Sequence, residues 1–148
     1  MVIEFITGHE FIFLINILFC LIAGILIGIE RELKGKAAGI STEFFIITGA
    51  MIFTFVSVLM DSASPARIAA QVVTGVGFLG AGIILKSKGG VIRNLTTAAG
   101  IWLSASIGML IGFKFYLVAM IAVLFSVFVP RIPRFGKQKP IFNKKNRK

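Results

Sequence analysis

Five blocks of apolar residues dominate the chain, and none of them contains an acidic or basic residue. Each is near the length that a helix needs to cross about 30 Å of hydrocarbon at about 1.5 Å per residue, although the last is short. Membrane strands would alternate polar and apolar residues, which these blocks do not. We therefore predict an all-α integral membrane protein, a compact bundle of about five transmembrane helices. The predicted spans are 11–29, 44–60, 68–85, 96–112 and 115–129.

The basic residues predict the orientation of this transmembrane domain, residues 1–129. The loops after the first and third spans carry three basic residues each, and the tail, residues 130–148, carries eight. The opposite side has only Arg67 and Lys114. By the positive-inside rule the N-terminus lies outside and the C-terminus in the cytoplasm. The net charge of +10 thus reflects topology and contact with anionic lipid, and we expect no nucleic-acid binding.

Several kinds of site are excluded by the residues that the chain contains. Cys20 and His9 are the single cysteine and the single histidine, so we expect no disulfide within the chain and no zinc or other metal site. The GxGxxG run at 75–82 lacks the strand and the acidic residue of a dinucleotide site, and we expect no cofactor. No span pairs a nucleophile with a base, so we do not expect an enzyme.

Small residues recur at every fourth position in the first, third and fourth spans. Such faces let helix backbones approach closely, and close packing drives helix association in lipid. We expect these three spans to form the centre of the bundle, and the second and fifth to face lipid. A third span broken at 75–82, as in transporters, is the alternative. The glycines that we assign to packing are Gly24, Gly28, Gly75, Gly77, Gly80, Gly82, Gly100 and Gly108.

The polar residues at the ends of the spans are the candidate functional residues. The acid–base run that closes the first span is an interfacial anchor or a salt-bridge hub, with partners on other helices because adjacent helix residues do not face each other. The pair that opens the third span either snorkels to headgroups or lines a functional mouth. The residues that open the fourth span cap it or hold an anion. The set is Glu30, Arg31, Glu32, Lys36, Arg67, Gln71, Asn94, Thr96 and Thr97.

Three motifs follow one another between about residues 20 and 112. They are Gly24-x-x-x-Gly28-x-Glu30-Arg31-Glu32-x-x-Gly35-Lys36-x-Ala38-Gly39-x-x-Thr42, then Arg67-Ile68-Ala69-Ala70-Gln71 with Gly75-x-Gly77-Phe78-Leu79-Gly80-Ala81-Gly82, then Leu95-Thr96-Thr97-Ala98-Ala99 with Trp102 and Ser106-Ile107-Gly108. In these motifs and their order the chain resembles the MgtC/SapB family of bacterial membrane proteins. It departs from the family at Asn94, where glycine is usual. We also expect no ACT-like soluble domain, which many members have, so we carry over no role that depends on that domain.

The resemblance implies a virulence-associated regulator of the inner, or plasma, membrane. Family members are associated with growth in low magnesium and survival inside host cells, and inhibition of the F-type ATP synthase is attributed to some. We therefore expect a protein that binds other membrane proteins such as ATP synthase, in contact with membrane lipids and as a homodimer through its glycine faces. The alternative is a small transporter or channel for an ion or an anionic lipid-like ligand, lined by Arg67, Gln71 and the run 75–82.

Overall fold

The structure is a computed structural model that describes residues 8–60, 64, 66–85 and 94–132. Within these residues all the regular structure is helical, which confirms the predicted fold class. The basic loop with Lys86, Lys88 and Arg93 and the tail beyond residue 132 lie outside the described residues. The helices are α1 (Glu10–Leu33), α2 (Ile40–Met60), α3 (Ala66–Leu85), α4 (Leu95–Gly112) and α5 (Tyr116–Phe128), followed by a 3-10 turn (Val129–Arg131).

Three of the described helices, α1, α2 and α4, are long and apolar enough to cross a membrane. The apolar parts of the other two are shorter, at Ala69–Ile84 and Tyr116–Arg131. A membrane protein with a helical bundle is therefore supported, whereas the orientation of its termini stays a prediction.

Helices α1 and α2 extend beyond the apolar blocks at the end where they meet. α1 continues to Leu33, because its last residues are good helix formers although they are charged. The chain then turns at Gly35, whose φ of 59° suits glycine. α2 begins at Ile40, whose backbone N–H donates to Glu32 Oε1 at 3.0 Å. A side chain of α1 thus satisfies one of the free amides that open α2.

Helix α2 lies at the centre of the bundle, so the prediction that it faces lipid was wrong for one of its sides. It packs against α1, α3 and α4, and side chains on its inner side, such as Ile47 and Met51, are fully buried. Glycines of the neighbouring helices make this contact close. A Cβ added to Gly24 of α1 would lie 2.8 Å from the Cα of Phe44, and one added to Gly108 of α4 would lie 2.9 Å from the Cβ of Ala50. The small residues of α1 and α4 therefore bring these two helices close to the backbone of α2.

Helix α3 is continuous from Ala66 to Leu85, through the whole glycine run. The broken-helix alternative was therefore wrong. Ala69, Val72 and Val76 are buried against the bundle, and a Cβ added to Gly80 would make an ordinary 3.7 Å contact with α4. The remaining faces of α3 are exposed within the chain.

Candidate functional site

A buried ion pair lies where α1 ends and α2 begins. Arg31 Nε is 3.0 Å from Glu43 Oε1, and the exposed fractions of the two side chains are only 7% and 0%. Ser104 of α4 donates a hydrogen bond of 2.5 Å to Glu43 Oε2. The carboxylate therefore joins three helices through one positively charged and one neutral partner.

Arg31 also holds the loop between α1 and α2. Its Nε donates to the Ala38 carbonyl at 2.8 Å, and its Nη2 donates to the Ala37 carbonyl at 2.5 Å. Ala38 has a φ of 65°, a left-handed conformation that costs a non-glycine residue about 1 kcal/mol. α4 passes close to the same guanidinium, since a Cβ added to Gly100 would lie 2.9 Å from Nη1. A single arginine thus contacts a strained loop, α2 and α4.

The other charged residues at this end of the bundle extend the network. Glu30, which is buried, forms an ion pair with Lys34 one turn later. Lys34 Nζ also donates to the Pro130 carbonyl at 3.2 Å, which connects the end of α1 to the turn after α5. Lys36 is half-buried in the loop, and its backbone N–H bonds to the Arg31 carbonyl at 3.0 Å. No group of metal-ligating side chains is found in the described parts of the chain.

Glu43 and Ser104 are members of this network that the sequence analysis did not select. Glu43 directly precedes the second apolar block, and an acid at the edge of a membrane span is a functional candidate for that reason alone. Ser104 belongs to the small-residue face of α4, between Gly100 and Gly108. A hydroxyl within a membrane span gains from a hydrogen-bond partner, and this is the signal that could have selected Ser104.

The nine predicted site residues do not form one cluster. α2 runs away from the ion pair, and only residues 61–65 separate its end from the start of α3. Arg67 and Gln71 therefore lie towards the opposite end of the bundle, exposed on α3. At the start of α4 the Asn94 side chain makes no capping hydrogen bond, contrary to the capping interpretation. Its φ of 62° is the conformation that glycine favours and asparagine tolerates. Of the two threonines that follow, Thr96 is exposed and Thr97 is buried.

An apolar groove runs between α2 and α3. Its volume is about 820 Å³, and Thr42 and Gln71 are the two hydrogen-bonding side chains among its lining residues. Three glycines contribute to its walls: Gly49 of α2, and Gly75 and Gly82 of α3. A Cβ added to any of these three would meet no atom of the described residues within 4 Å. The groove therefore has room for another backbone to approach.

The described residues thus form a helical membrane protein with glycine-packed helices, a buried ion pair at one end and an open apolar groove on one side. Residues 17–136 match the family model described as the MgtC family, and the chain belongs to that family. The chain is 44% identical over 117 residues to Protein MgtC of Salmonella typhimurium, covering 77% of this chain and 50% of that protein. It is 43% identical over 112 residues to Protein MgtC of Brucella abortus, covering 75% and 47%. The chain spans about half the length of the curated relatives that it matches. No solved structure matches it.

Proposed function

We propose that the protein is an inner-membrane modulator that acts by binding other membrane proteins within the bilayer, with a transmembrane helix of the partner in the α2–α3 groove. The open groove between two apolar helices is the observation that carries this proposal. A groove of this kind brings a second helix beside α2 and α3 without exposing any polar backbone to lipid.

The use of glycine elsewhere in the chain supports a helix as the occupant. Gly24, Gly28 and Gly108 each lie against the backbone or Cβ of α2, so this chain brings helices close where it has glycine. Gly75 and Gly82 likewise leave the groove side of α3 open to the close approach of a helix. A Cβ added to either would have no atom of the described residues within 4 Å. Close approach at small residues is a main source of helix association in lipid, whereas lipid tails do not require it.

The family resemblance supports the biological setting of the proposal. We propose that the modulator serves adaptation to low magnesium and survival within host cells, and that the F-type ATP synthase is a candidate partner. The homodimer stays a prediction, and the mass of the purified protein in a mild detergent tests it.

Filling the groove tests the proposal. Gly75→Leu places a large side chain on the groove wall, and we expect it to abolish crosslinking of the partner in native membranes. Gly77→Leu is the matched control, because Gly77 lies on the same helix, is equally open and does not line the groove. Both variants should insert and fold alike. Equal partner yields from the two variants would contradict the proposal.

A small transporter or channel is the second candidate function. The placement of Gln71 in the groove, with Arg67 one turn before it on α3, favours this alternative, because the two would offer a positive charge and an amide to an anion. Proteoliposomes that contain only the purified protein separate the two functions. Saturable flux of an ion or an anionic lipid would support transport, and no flux together with a reproducible co-purifying complex would support modulation.

A further inference from the structure

The two walls of the α2–α3 groove have nearly the same length. On α2 the groove extends from Thr42 to Phe53, and on α3 from Gln71 to Ile83, so the ends of the walls are eleven and twelve positions apart. At about 1.5 Å per residue the walls are about 16 to 18 Å long. Because α3 follows α2 after a short connection and runs back along it, Thr42 lies beside the Ile83 end and Gln71 beside the Phe53 end.

The polar groups of the groove are therefore at opposite ends, one on each wall. Neither the Thr42 hydroxyl nor the Gln71 amide makes a hydrogen bond to any described residue. Both side chains are exposed within the chain, and the surface between them is apolar. Hydrocarbon offers no hydrogen bonds, so a polar side chain within a span gains from a partner that brings its own donor or acceptor.

This arrangement discriminates between the two kinds of occupant that a membrane supplies. A lipid is polar at one end only, so it can hydrogen-bond to one of the two groups but leaves the other in contact with hydrocarbon. A helix can hydrogen-bond to both, because two of its residues eleven positions apart span the length of the groove, are separated by just over three turns and share one face, whereas residues twelve apart do not. Small residues between them would face Gly49 and Gly75, where the groove is open to a backbone.

We infer that the groove recognises a transmembrane helix with hydrogen-bonding side chains eleven residues apart and small residues between them. This inference rests on the proposed function and specifies the partner for the same groove. Gln71 is the residue that determines specificity, because it lies five residues inside α3, where water is less available than at Thr42 near the start of α2.

Synthetic transmembrane peptides test the spacing directly. The probe is a lysine-flanked leucine and alanine helix with two asparagines eleven residues apart. A control peptide of the same composition has them nine apart, which places them on opposite faces of the helix. A second control has none. Binding to the full chain is measured by energy transfer in vesicles of phosphatidylethanolamine and phosphatidylglycerol. We expect the eleven-spaced peptide to bind more tightly than both controls.

Substitutions in the protein complete the test. Gln71→Leu should weaken binding of the eleven-spaced peptide by about three- to tenfold, the range of one interhelical hydrogen bond. Thr74→Val is the matched control, because Thr74 is a polar, exposed residue of α3 that does not line the groove. Equal affinity for the eleven- and nine-spaced peptides, or no effect of Gln71→Leu, would overturn the inference.

The result also distinguishes this inference from the proposed function. If a native partner is still crosslinked in the groove and lost in Gly75→Leu, but the peptides show no preference for spacing, the inference fails and the modulator function stands. If co-purified phospholipid occupies the groove and neither a native helix nor a peptide enters it, both fail.

Discussion

Removal of the Arg31 side chain should be among the most damaging single changes to this fold. Arg31→Leu leaves the Glu43 carboxylate with only the Ser104 hydroxyl as a partner, at a site with no exposed surface. Breaking a buried ion pair from one side typically costs about 3–5 kcal/mol. The Ala37 and Ala38 carbonyls lose their donors as well, at about 1 kcal/mol for each hydrogen bond. We therefore expect Arg31→Leu to lower the free energy of unfolding by close to the upper value for a broken ion pair, about 5 kcal/mol.

A surface arginine gives the matched control for this prediction. Arg131 is exposed, and its guanidinium lies 5.6 Å from the centre of the Phe128 ring. Arg131→Leu should cost less than about 1 kcal/mol, the usual value of an exposed cation–π contact. Unfolding by increasing sodium dodecyl sulfate in mixed micelles, followed by the fluorescence of Trp102, compares the two variants. Trp102 is the single tryptophan of the chain.

The double variant Arg31→Leu with Glu43→Leu separates charge burial from lost packing. Replacing a whole buried ion pair by apolar residues is often neutral or stabilising, so the double variant should be more stable than Arg31→Leu alone. A cost of Arg31→Leu no greater than that of Arg131→Leu would refute the reasoning, as would a double variant less stable than either single one.

Two further predictions concern the packing and the topology. Gly108→Ala should destabilise the protein by about 1–3 kcal/mol, because the new Cβ would lie 2.9 Å from the Cβ of Ala50; Gly77→Ala should stabilise it by up to about 1 kcal/mol, because that position is open and alanine favours helix. The same unfolding titration measures both changes. If the two substitutions changed the free energy of unfolding in the same direction, the proposed difference in packing at Gly108 and Gly77 would be contradicted. For the topology, single cysteines at positions 62 and 87, in a chain with Cys20 replaced, should react with an impermeant maleimide from opposite sides of the membrane. Labelling of both from one side would rule out the five-span orientation.

The helices could be predicted from the sequence because membrane spans depend on local composition. Apolar blocks of sufficient length must be helical in hydrocarbon, and the five described helices fall on them. The exact ends could not be predicted in this way. α1 and α2 continue through charged residues such as Glu30 and Glu43, which a search for apolar blocks excludes although both are buried in the fold.

The arrangement of the helices was harder to predict, because a small-residue face does not identify the helix that packs on it. Gly24 and Gly108 do make close contacts, but the approaching helix is α2, whose backbone at Phe44 and Ile47 lies against them. The partner of Arg31 was missed for a similar reason. Its carboxylate lies twelve residues later on another helix, and no local rule connects the two.

Photocrosslinking in native membranes tests most directly whether a transmembrane helix of a partner protein occupies the α2–α3 groove. A photoreactive amino acid is placed at Phe78, which lines the groove and is 81% exposed, or at Phe125 of α5, which is 61% exposed and lies outside it. We predict that position 78 captures a membrane protein in reproducible yield, that Gly75→Leu abolishes this product, and that position 125 captures only lipid. Capture of lipid alone from both positions would contradict the account.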